Sequence, residues 1–260
     1  MANLPLTERI PIDAAEFKLP HHVLHWIANF DYVLLGEMHG SNEIPRLFGN
    51  IVCAVAQLKG VVLTGLEFPA SEQENLQAYA TSLDESLLAS MSGFRNRSDD
   101  GRSSKAMFSL IAQLAKTAGV RVFAFDADTS ADEAERDAIM SANIISKKQS
   151  QSSPTFILCG NIHSDKREGA FFDLAFRSMA SHLNKHARAN DETCLSILAD
   201  FGGGQTWSKT SRDSQPPANW SFSDNAHPDA YFMRLEDVSA NGHDAVIYVP
   251  TLTASPPYDV

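Results

Sequence analysis

The sequence is poor in cysteine and has no long apolar run. Only three cysteines occur in 260 residues, at positions 53, 159 and 194. Their odd number and the absence of a CxxC pair argue against a disulfide framework or a zinc site. We expect buried free thiols in a reducing compartment, the cytoplasm. No stretch approaches 18 unbroken apolar residues, which excludes a spanning helix, and the charged first twenty residues lack the apolar region of a secretory signal.

Positively charged residues are scarce relative to acidic ones. Lys and Arg total 21 against 32 Asp and Glu, which gives a formal net charge of −11 at pH 7. A negative chain lacks the general attraction that basic proteins have for phosphate backbones and anionic lipid surfaces. Nucleic acid and membranes are therefore not expected as partners, whereas a small-molecule substrate is.

Four short motifs of familiar catalytic and cofactor sites are absent: HExxH, GxSxG, GxxxxGK[ST] and GxGxxG. Their absence removes the main sequence support for a zinc peptidase, a serine-based α/β-hydrolase, a P-loop enzyme and a dinucleotide-binding protein. The sequence also has no internal repeat at the periods of solenoid proteins. What remains is a globular chain, 43% hydrophobic and 20% charged, without an obvious catalytic signature.

Six short apolar runs bounded by turn-forming residues are typical of buried strands. They span residues 32–35, 61–64, 121–125, 155–159, 194–199 and 245–249. Segments with the apolar spacing of helices lie between them. This alternation predicts right-handed βαβ units, and hence an α/β fold with a mostly parallel central sheet and helices on both faces.

The chain divides into an N-terminal extension with a short helix, residues 1–30, and an α/β domain, residues 31–260. Two connections in this domain, residues 82–105 and 205–230, exceed the roughly 12 to 15 residues above which a loop is often a lid or a binding loop. Surface insertions without a role are an equally open interpretation of both.

Ionisable residues follow four of the six predicted strands. The carboxyl ends of parallel strands share one edge of a sheet, where ligands bind in open α/β folds. A glycine precedes the two glutamates and the two histidines, and lets backbone pass close to a ligand. We therefore expect these four side chains to converge on one pocket, with two aspartates beside them. The six residues are Glu37, His39, Glu67, Asp126, Asp128 and His163.

These residue types support two kinds of chemistry. A histidine backed by carboxylates can take a proton from water and return it to a leaving group, as in a metal-free hydrolase. The same groups can hold a divalent cation with positions open to water. For Asp126 and Asp128, a local role as a helix cap or turn residue is a further alternative.

Arg136 lies on a predicted amphipathic helix, on the same face as Met140 and Asn143. From this face the arginine can reach acidic strand exits such as Asp126. We therefore expect Arg136 and its neighbour Asp137 to support the site.

Six short motifs between residues 31 and 249 resemble, in the same order, those of a known superfamily. It unites the erythromycin esterases, the ChaN haem-binding lipoproteins and the Tiki/TraB proteins. The motifs are Val33-Leu-Leu-Gly-Glu-Met-His-Gly40 with Glu43 and Arg46; Gly65-Leu-Glu67; Glu135-Arg-Asp-Ala-Ile-Met140 with Asn143; Gly160-Asn-Ile-His163; Gly202 to Gly204; and His243-Asp-Ala-Val-Ile-Tyr248.

The resemblance implies an α/β fold of the erythromycin esterase/ChaN type, with the site at the strand exits. In the esterase branch, a histidine of the first motif activates water for attack on a macrolactone ester without a metal, helped by glutamates and a later histidine. Matched by position, these residues are His39, Glu37, Glu67 and His163, with Arg46 near the site. One residue separates Glu37 from His39, as in the ChaN branch, whereas two separate them in the esterases.

The main functional hypothesis is a hydrolase of an ester, lactone or related bond in a small molecule, with His39 as general base and no required cofactor. The alternative is a non-catalytic protein of the ChaN type that binds haem or a divalent metal. A scaffold domain is a third hypothesis, and the retained histidines and glutamates argue against it. The predicted catalytic residues, or metal ligands under the alternative, are Glu37, His39, Glu67 and His163; the predicted substrate-binding residues are Arg46, Asp126, Asp128 and Arg136.

Overall fold

The structure, a computed structural model, describes residues 4–95, 100–129, 132–149, 153–170, 173–209, 216–221 and 226–258. Within these ranges, the helices are α1 (His21–Ile27), α2 (Glu43–Lys59), α3 (Gln73–Ser82), α4 (Glu85–Ser90), α5 (Ser92–Arg95), α6 (Lys105–Ala115), α7 (Glu133–Gln149), α8 (Asn161–Ser164), α9 (Met179–Ala189) and α10 (Val238–Asn241). The strands are β1 (Ile10–Pro11), β2 (Tyr32–Glu37), β3 (Val62–Pro69), β4 (Val120–Asp126), β5 (Thr155–Gly160), β6 (Glu168–Ala170), β7 (Asp173–Arg177), β8 (Cys194–Phe201), β9 (Gly203–Thr206), β10 (Ala218–Ser221), β11 (Tyr231–Arg234) and β12 (Ala245–Val249).

Eight strands form the central sheet in the order β1-β11-β12-β8-β2-β5-β3-β4. The six strands from β12 to β4 are parallel. The two outer strands add in antiparallel orientation, β11 to β12 and β1 to β11. The six parallel strands are the six predicted from the apolar runs, so the α/β fold with a mostly parallel sheet is confirmed.

Helices cover both faces of the sheet because successive strand residues point to opposite sides. In β2, Val33 belongs to an apolar cluster that includes Leu47 of α2 and further side chains of α1, α3 and α6. The next residue, Leu34, belongs to a second cluster with Met140 of α7 and Leu183 of α9. All six residues of β2 are buried, as expected for a central parallel strand.

Local sequence signals account for the ends of the longer helices. Pro45 lies in the first turn of α2, where a missing backbone N–H costs nothing. The helix ends at Lys59. The next residue, Gly60, has a φ of 83°, which glycine adopts without strain. At the start of α6, Ser104 Oγ accepts a hydrogen bond from the backbone N–H of Met107 at 3.2 Å, a typical N-cap.

The segment before residue 31 packs against the domain. Its strand β1 pairs with β11 at the edge of the sheet. Ile10, Ile12 and Trp26 are buried in the larger apolar cluster. The segment therefore completes one side of the hydrophobic core.

The two long connections contain secondary structure. Residues 82–105 include α4 and α5, and residues 205–230 include the end of β9 and the antiparallel partner β10. Residues 96–99, 210–215 and 222–225 of these connections lie outside the described residues. Both connections contact Gly40: the backbone N–H of Trp207 donates to its carbonyl at 2.8 Å, and a Cβ on Gly101 would lie 2.4 Å from its nitrogen.

The three cysteines are free thiols, as predicted; Cys159 and Cys194 are buried and Cys53 is partly exposed. Of the helices in the described part of the chain, none combines the length and apolar character needed to cross a membrane.

Candidate active site

The expected site residues lie at the carboxyl ends of four neighbouring strands. Glu37 ends β2, directly opposite Gly160 at the end of β5, and His163 lies in α8, which follows β5. Glu67 lies near the end of β3, and Asp126 ends β4. Because these strands are adjacent in the order β2-β5-β3-β4, their exits form one continuous polar surface.

Glu67 lies between the two histidines. Its Oε2 atom is 3.5 Å from Nε2 of His39, and its Oε1 atom is 3.9 Å from Nε2 of His163. The backbone N–H of Gly160 also donates to Oε2 at 2.8 Å. The convergence predicted for the two glutamates and two histidines is therefore confirmed.

Each histidine contacts a second carboxylate through its other ring nitrogen. His39 Nδ1 is 3.0 Å from Glu37 Oε1, and His163 Nδ1 is 2.9 Å from Asp137 Oδ2. A carboxylate at Nδ1 fixes the ring orientation and favours the tautomer that keeps a proton there. The Nε2 atom of each ring then faces Glu67, and Nη1 of Arg136 lies 3.3 Å from Nε2 of His163. Nε2 of His39 is the atom at which a proton can be exchanged.

Two arginines bind the carboxylates of this edge. Arg136 donates from Nε to Asp126 Oδ1 and from Nη2 to Asp126 Oδ2, both at 2.8 Å. Its Nη2 also lies 2.8 Å from Glu67 Oε1. Arg102 adds contacts from Nη1 to Asp126 Oδ2 at 3.0 Å and to Glu67 Oε1 at 3.3 Å, while Asp100 holds its other nitrogens. The predicted contact between Arg136 and Asp126 is confirmed.

The electrostatics favour a charged His39 and a charged Glu67. Burial disfavours the imidazolium of His39, but the carboxylates of Glu67 and Glu37 outweigh it and raise the pKa of His39 to about 10. Burial also disfavours the ionised form of Glu67. Nevertheless, the positive charges of His39, His163 and Arg102 hold the pKa of Glu67 well below its usual range.

The outer members of the cluster have shifted pKa values as well. Burial raises the pKa of Glu37, and its Oε2 atom has no hydrogen-bond partner among the described residues. The pKa of His163 is raised, because its hydrogen bond to Asp137 and the charge of Glu67 outweigh the effect of burial. At neutral pH, the imidazole of His39 thus favours the protonated form.

Two glycines allow the cluster to pack closely. A Cβ on Gly160 would lie 3.1 Å from Nε2 of His39. A Cβ on Gly36 would lie 1.8 Å from Oγ of Ser164 at the end of α8. Gly160 therefore gives space for His39, and Gly36 gives space for α8, which carries His163.

Two residues expected at the substrate lie elsewhere. The exposed Arg46 donates to the carbonyl of Ala15 at 3.3 Å and stacks 5.2 Å from the ring centroid of Phe17, because its face of α2 is turned to the N-terminal segment. Asp128 is exposed and accepts a hydrogen bond from the backbone N–H of Ser71 at 2.9 Å. This contact joins the exit of β4 to the turn that follows β3. The placement of Arg46 corrects the sequence-based expectation.

The contribution of Arg102 was not predicted, and for Asp137, which was expected to support the site, the partner was not predicted. Arg102 reaches it from the long connection 82–105, where the only sequence signal was a concentration of arginines. The pairing of Asp137 with His163 joins α7 to α8, and Asp137 has no solvent exposure. The sequence signal for Asp137 was its position directly after Arg136 on the helix. Adjacent helical residues point in different directions, so the two side chains contact different partners.

The charges of the cluster disfavour a metal cation beside Glu67. Among the described residues, no group of three or more His, Cys, Asp and Glu side chains is arranged to hold a metal ion. A cation at Glu67 would face the guanidinium groups of Arg102 and Arg136.

A cleft of about 670 Å³ lies beside the cluster. Met38, which separates Glu37 from His39, and Asn161, which follows Gly160, are among its lining residues. Further lining residues come from β8 and β12, from β11 and the segment before it, and from the N-terminal segment. They include Asp200, Tyr248, Tyr231, His227 and Arg9. This volume is within the range of small-molecule sites.

The comparisons with known proteins concern the fold. No family model and no curated protein matches the chain. A Bacillus cereus protein of known structure covers 96% of this chain and 97% of its own, with a TM-score of 0.72 and 11% identity. A succinoglycan biosynthesis protein covers 95% of each chain, with a TM-score of 0.70 and 10% identity.

A mutant erythromycin esterase in its open conformation is also similar. It covers 92% of this chain and 95% of its own, with a TM-score of 0.67 and 10% identity. The chain therefore has the erythromycin esterase fold. This confirms the fold that the sequence resemblance implied.

Proposed function

We propose that the protein is a hydrolase that cleaves an ester, lactone or related bond in a small molecule at this cluster. The observation that carries the proposal is the arrangement of His39, which is bound at Nδ1 by Glu37 and faces Glu67 with Nε2. A histidine held in this way presents one nitrogen for proton transfer while its other nitrogen is fixed.

In the proposed reaction, His39 in its neutral form acts as general base. Nε2 takes a proton from water as the water oxygen forms a bond to the carbonyl carbon of the substrate. When the tetrahedral intermediate collapses, the bond to the leaving oxygen breaks and that oxygen receives a proton. The imidazolium of His39 returns the proton that it took from water, so no further reactant is needed.

The surrounding charges stabilise the form of His39 that arises in the reaction. Glu37 and Glu67 favour the imidazolium, as the raised pKa indicates. Arg136 and Arg102 keep Glu67 ionised and fixed in position. Such charges are oriented before the reaction begins, and so they cost no reorganisation when the transition state forms.

The cleft beside the cluster gives the substrate a place to bind. It begins at Met38 and Asn161 and continues toward Asp200 and Tyr248. The proposal places the ester or lactone bond at the end of the cleft formed by Met38, the residue between Glu37 and His39, and the remainder of the molecule in the cleft. Two of the predicted substrate-binding residues, Asp126 and Arg136, then act by holding Glu67 and its neighbours.

A panel of small esters and lactones tests the proposal. We expect His39→Ala to lower the rate by a factor on the order of 10² to 10⁴, the usual contribution of a positioned proton carrier, with the fold intact by circular dichroism. His22→Ala is the matched control, because His22 is exposed on α1, and it should leave the rate unchanged.

Each assay is run with and without chelator, and the purified protein is analysed for metal and by absorption spectroscopy. Turnover that survives chelation supports the metal-free reaction. If no panel member is hydrolysed while the protein takes up haem or metal stoichiometrically through His39 or His163, the hydrolase is replaced by a binding protein.

A further inference from the structure

A second cleft, of about 640 Å³, shares no lining residue with the catalytic cluster or with the cleft beside it. It lies between α9, the segment that follows α8, and the start of α10. Its volume is within the range of small-molecule sites. The lining residues are Lys166, Arg167, Glu168, Ser181, Asn184, Lys185, Arg188, Val238 and Ser239.

This cleft is positively charged in a chain whose net charge is −11. Four of its nine lining residues are Lys or Arg, and one is acidic. The acidic residue, Glu168, forms an ion pair with Arg177, so its charge is already balanced. The concentration of cations here contrasts with the composition of the whole chain.

Two of the four cations are fixed by internal ion pairs. Lys166 Nζ lies 2.9 Å from Asp244 Oδ2 and donates to the carbonyl of Cys194 at 3.0 Å. Arg167 donates from Nε to both oxygens of Asp165 at 3.0 Å. These pairs orient the two cations and neutralise them, which gives the cleft a rigid wall.

The other two cations are not held by close ion pairs, although the charge of Lys185 acts on Glu168. Lys185 and Arg188 are exposed and lie three residues apart on α9, so their side chains are neighbours on one helix face. Within the described part of the chain, neither forms an ion pair within 4.0 Å. Two like charges this close repel each other, and a bound anion removes that cost.

We propose that this cleft binds a small molecule that carries a phosphate or pyrophosphate group. A planar guanidinium and a mobile ammonium are the donors that phosphate oxygens prefer. The amide of Asn184 and the hydroxyl of Ser181 supply neutral polar groups in the same wall. A ligand larger than orthophosphate matches the volume. This site is separate from the proposed hydrolase, and its test needs no substrate.

Isothermal titration calorimetry with inorganic pyrophosphate at fixed ionic strength tests the site, with orthophosphate and citrate as comparison anions. We expect pyrophosphate to bind more tightly than either. Lys185→Gln combined with Arg188→Gln should weaken the binding of pyrophosphate by about tenfold or more, since the loss of even one charge-assisted hydrogen bond costs about that factor.

Lys18→Gln combined with Lys116→Gln is the matched control, because both lysines are exposed elsewhere and the change in charge is the same. It should leave the affinity within about twofold, and His39→Ala should leave it unchanged. Absence of binding at millimolar pyrophosphate overturns the proposal, as does equal loss in the control pair or equal affinity for citrate.

Discussion

Asp137 Oδ2 lies 2.9 Å from Nδ1 of His163, and the aspartate is completely buried. The same carboxylate accepts a hydrogen bond from the backbone N–H of Met179 at the start of α9. It thus connects α7, α8 and α9 at one point. Glu37 has the corresponding position at His39, so each histidine has a carboxylate at Nδ1, supplied by β2 for His39 and by α7 for His163.

Replacing Asp137 with Asn tests this support. The substitution keeps the shape but removes the negative charge that raises the pKa of His163, so the pKa should fall. NMR titration of the imidazole signals measures it. Asp173→Asn, at an exposed position, is the control and should leave the titration unchanged. An unaltered His163 titration in the Asp137 variant contradicts the prediction.

The stability of the protein should depend on the protonation of His39. Its pKa in the fold is about 10, above the ordinary 6.5. The stabilisation is therefore complete below about pH 6.5 and is lost as the pH rises toward 10. The melting temperature of the wild type should therefore fall over this pH range more steeply than that of His39→Gln. If the melting temperatures of the two proteins change with pH in parallel, the prediction is contradicted.

The same shift predicts how hydrolysis depends on pH. A general base must be neutral, so kcat/KM should increase about tenfold per pH unit below the pKa of His39 and level off near pH 10. The pH–rate profile of the best substrate from the panel measures this. A rate that falls as the pH rises from 7 to 9 would falsify the general-base role.

Removing Arg136 should destabilise the fold. Its side chain is 17% exposed and pairs with Glu67 and Asp126. Without it, these two carboxylates keep Arg102 as their arginine partner. Loss of one member of a buried ion pair costs on the order of 3 kcal/mol. Urea unfolding of Arg136→Ala measures the change, with the exposed Arg188→Ala as control. Equal stabilities for the two variants contradict the structural role.

Gly36→Ala should disturb α8 and with it His163. The added Cβ would lie 1.8 Å from Ser164 Oγ and 2.8 Å from Ser164 Cβ. We expect a lower melting temperature, partly restored by the additional change Ser164→Gly. Gly93→Ala is the control, because a Cβ there would make an ordinary contact of 3.4 Å with Phe68. If Gly36→Ala melts like the control, the packing argument fails.

The parallel part of the sheet was predictable because its strands are buried on both faces. The apolar run of β2, for example, is continuous and ends at a glycine and a glutamate. The short outer strands were not predicted. The two residues of β1 contain a proline, and their pairing with β11 joins opposite ends of the chain, which no local pattern indicates.

The part of the site that follows directly from strand order was predictable, whereas contacts from distant segments were not. The parallel-sheet rule placed Glu37, Glu67 and His163 at one edge. Arg102 arrives from a long connection without a regular pattern. The position of Arg46 was predicted wrongly. The motif gives the distance of Arg46 from His39 along the chain, but it does not show in which direction that side of α2 faces.

The carbonyl of Gly40 accepts hydrogen bonds from Trp207 and Ser255, both at 2.8 Å. The backbone next to His39 is therefore held by two segments that lie far along the chain, around Trp207 and Ser255. Closing such long loops is slow compared with local helix formation, so His39 should reach its final position late in folding. Pulse-labelled hydrogen exchange at the Trp207 and Ser255 amides, compared with amides within α2, reports the order of these events.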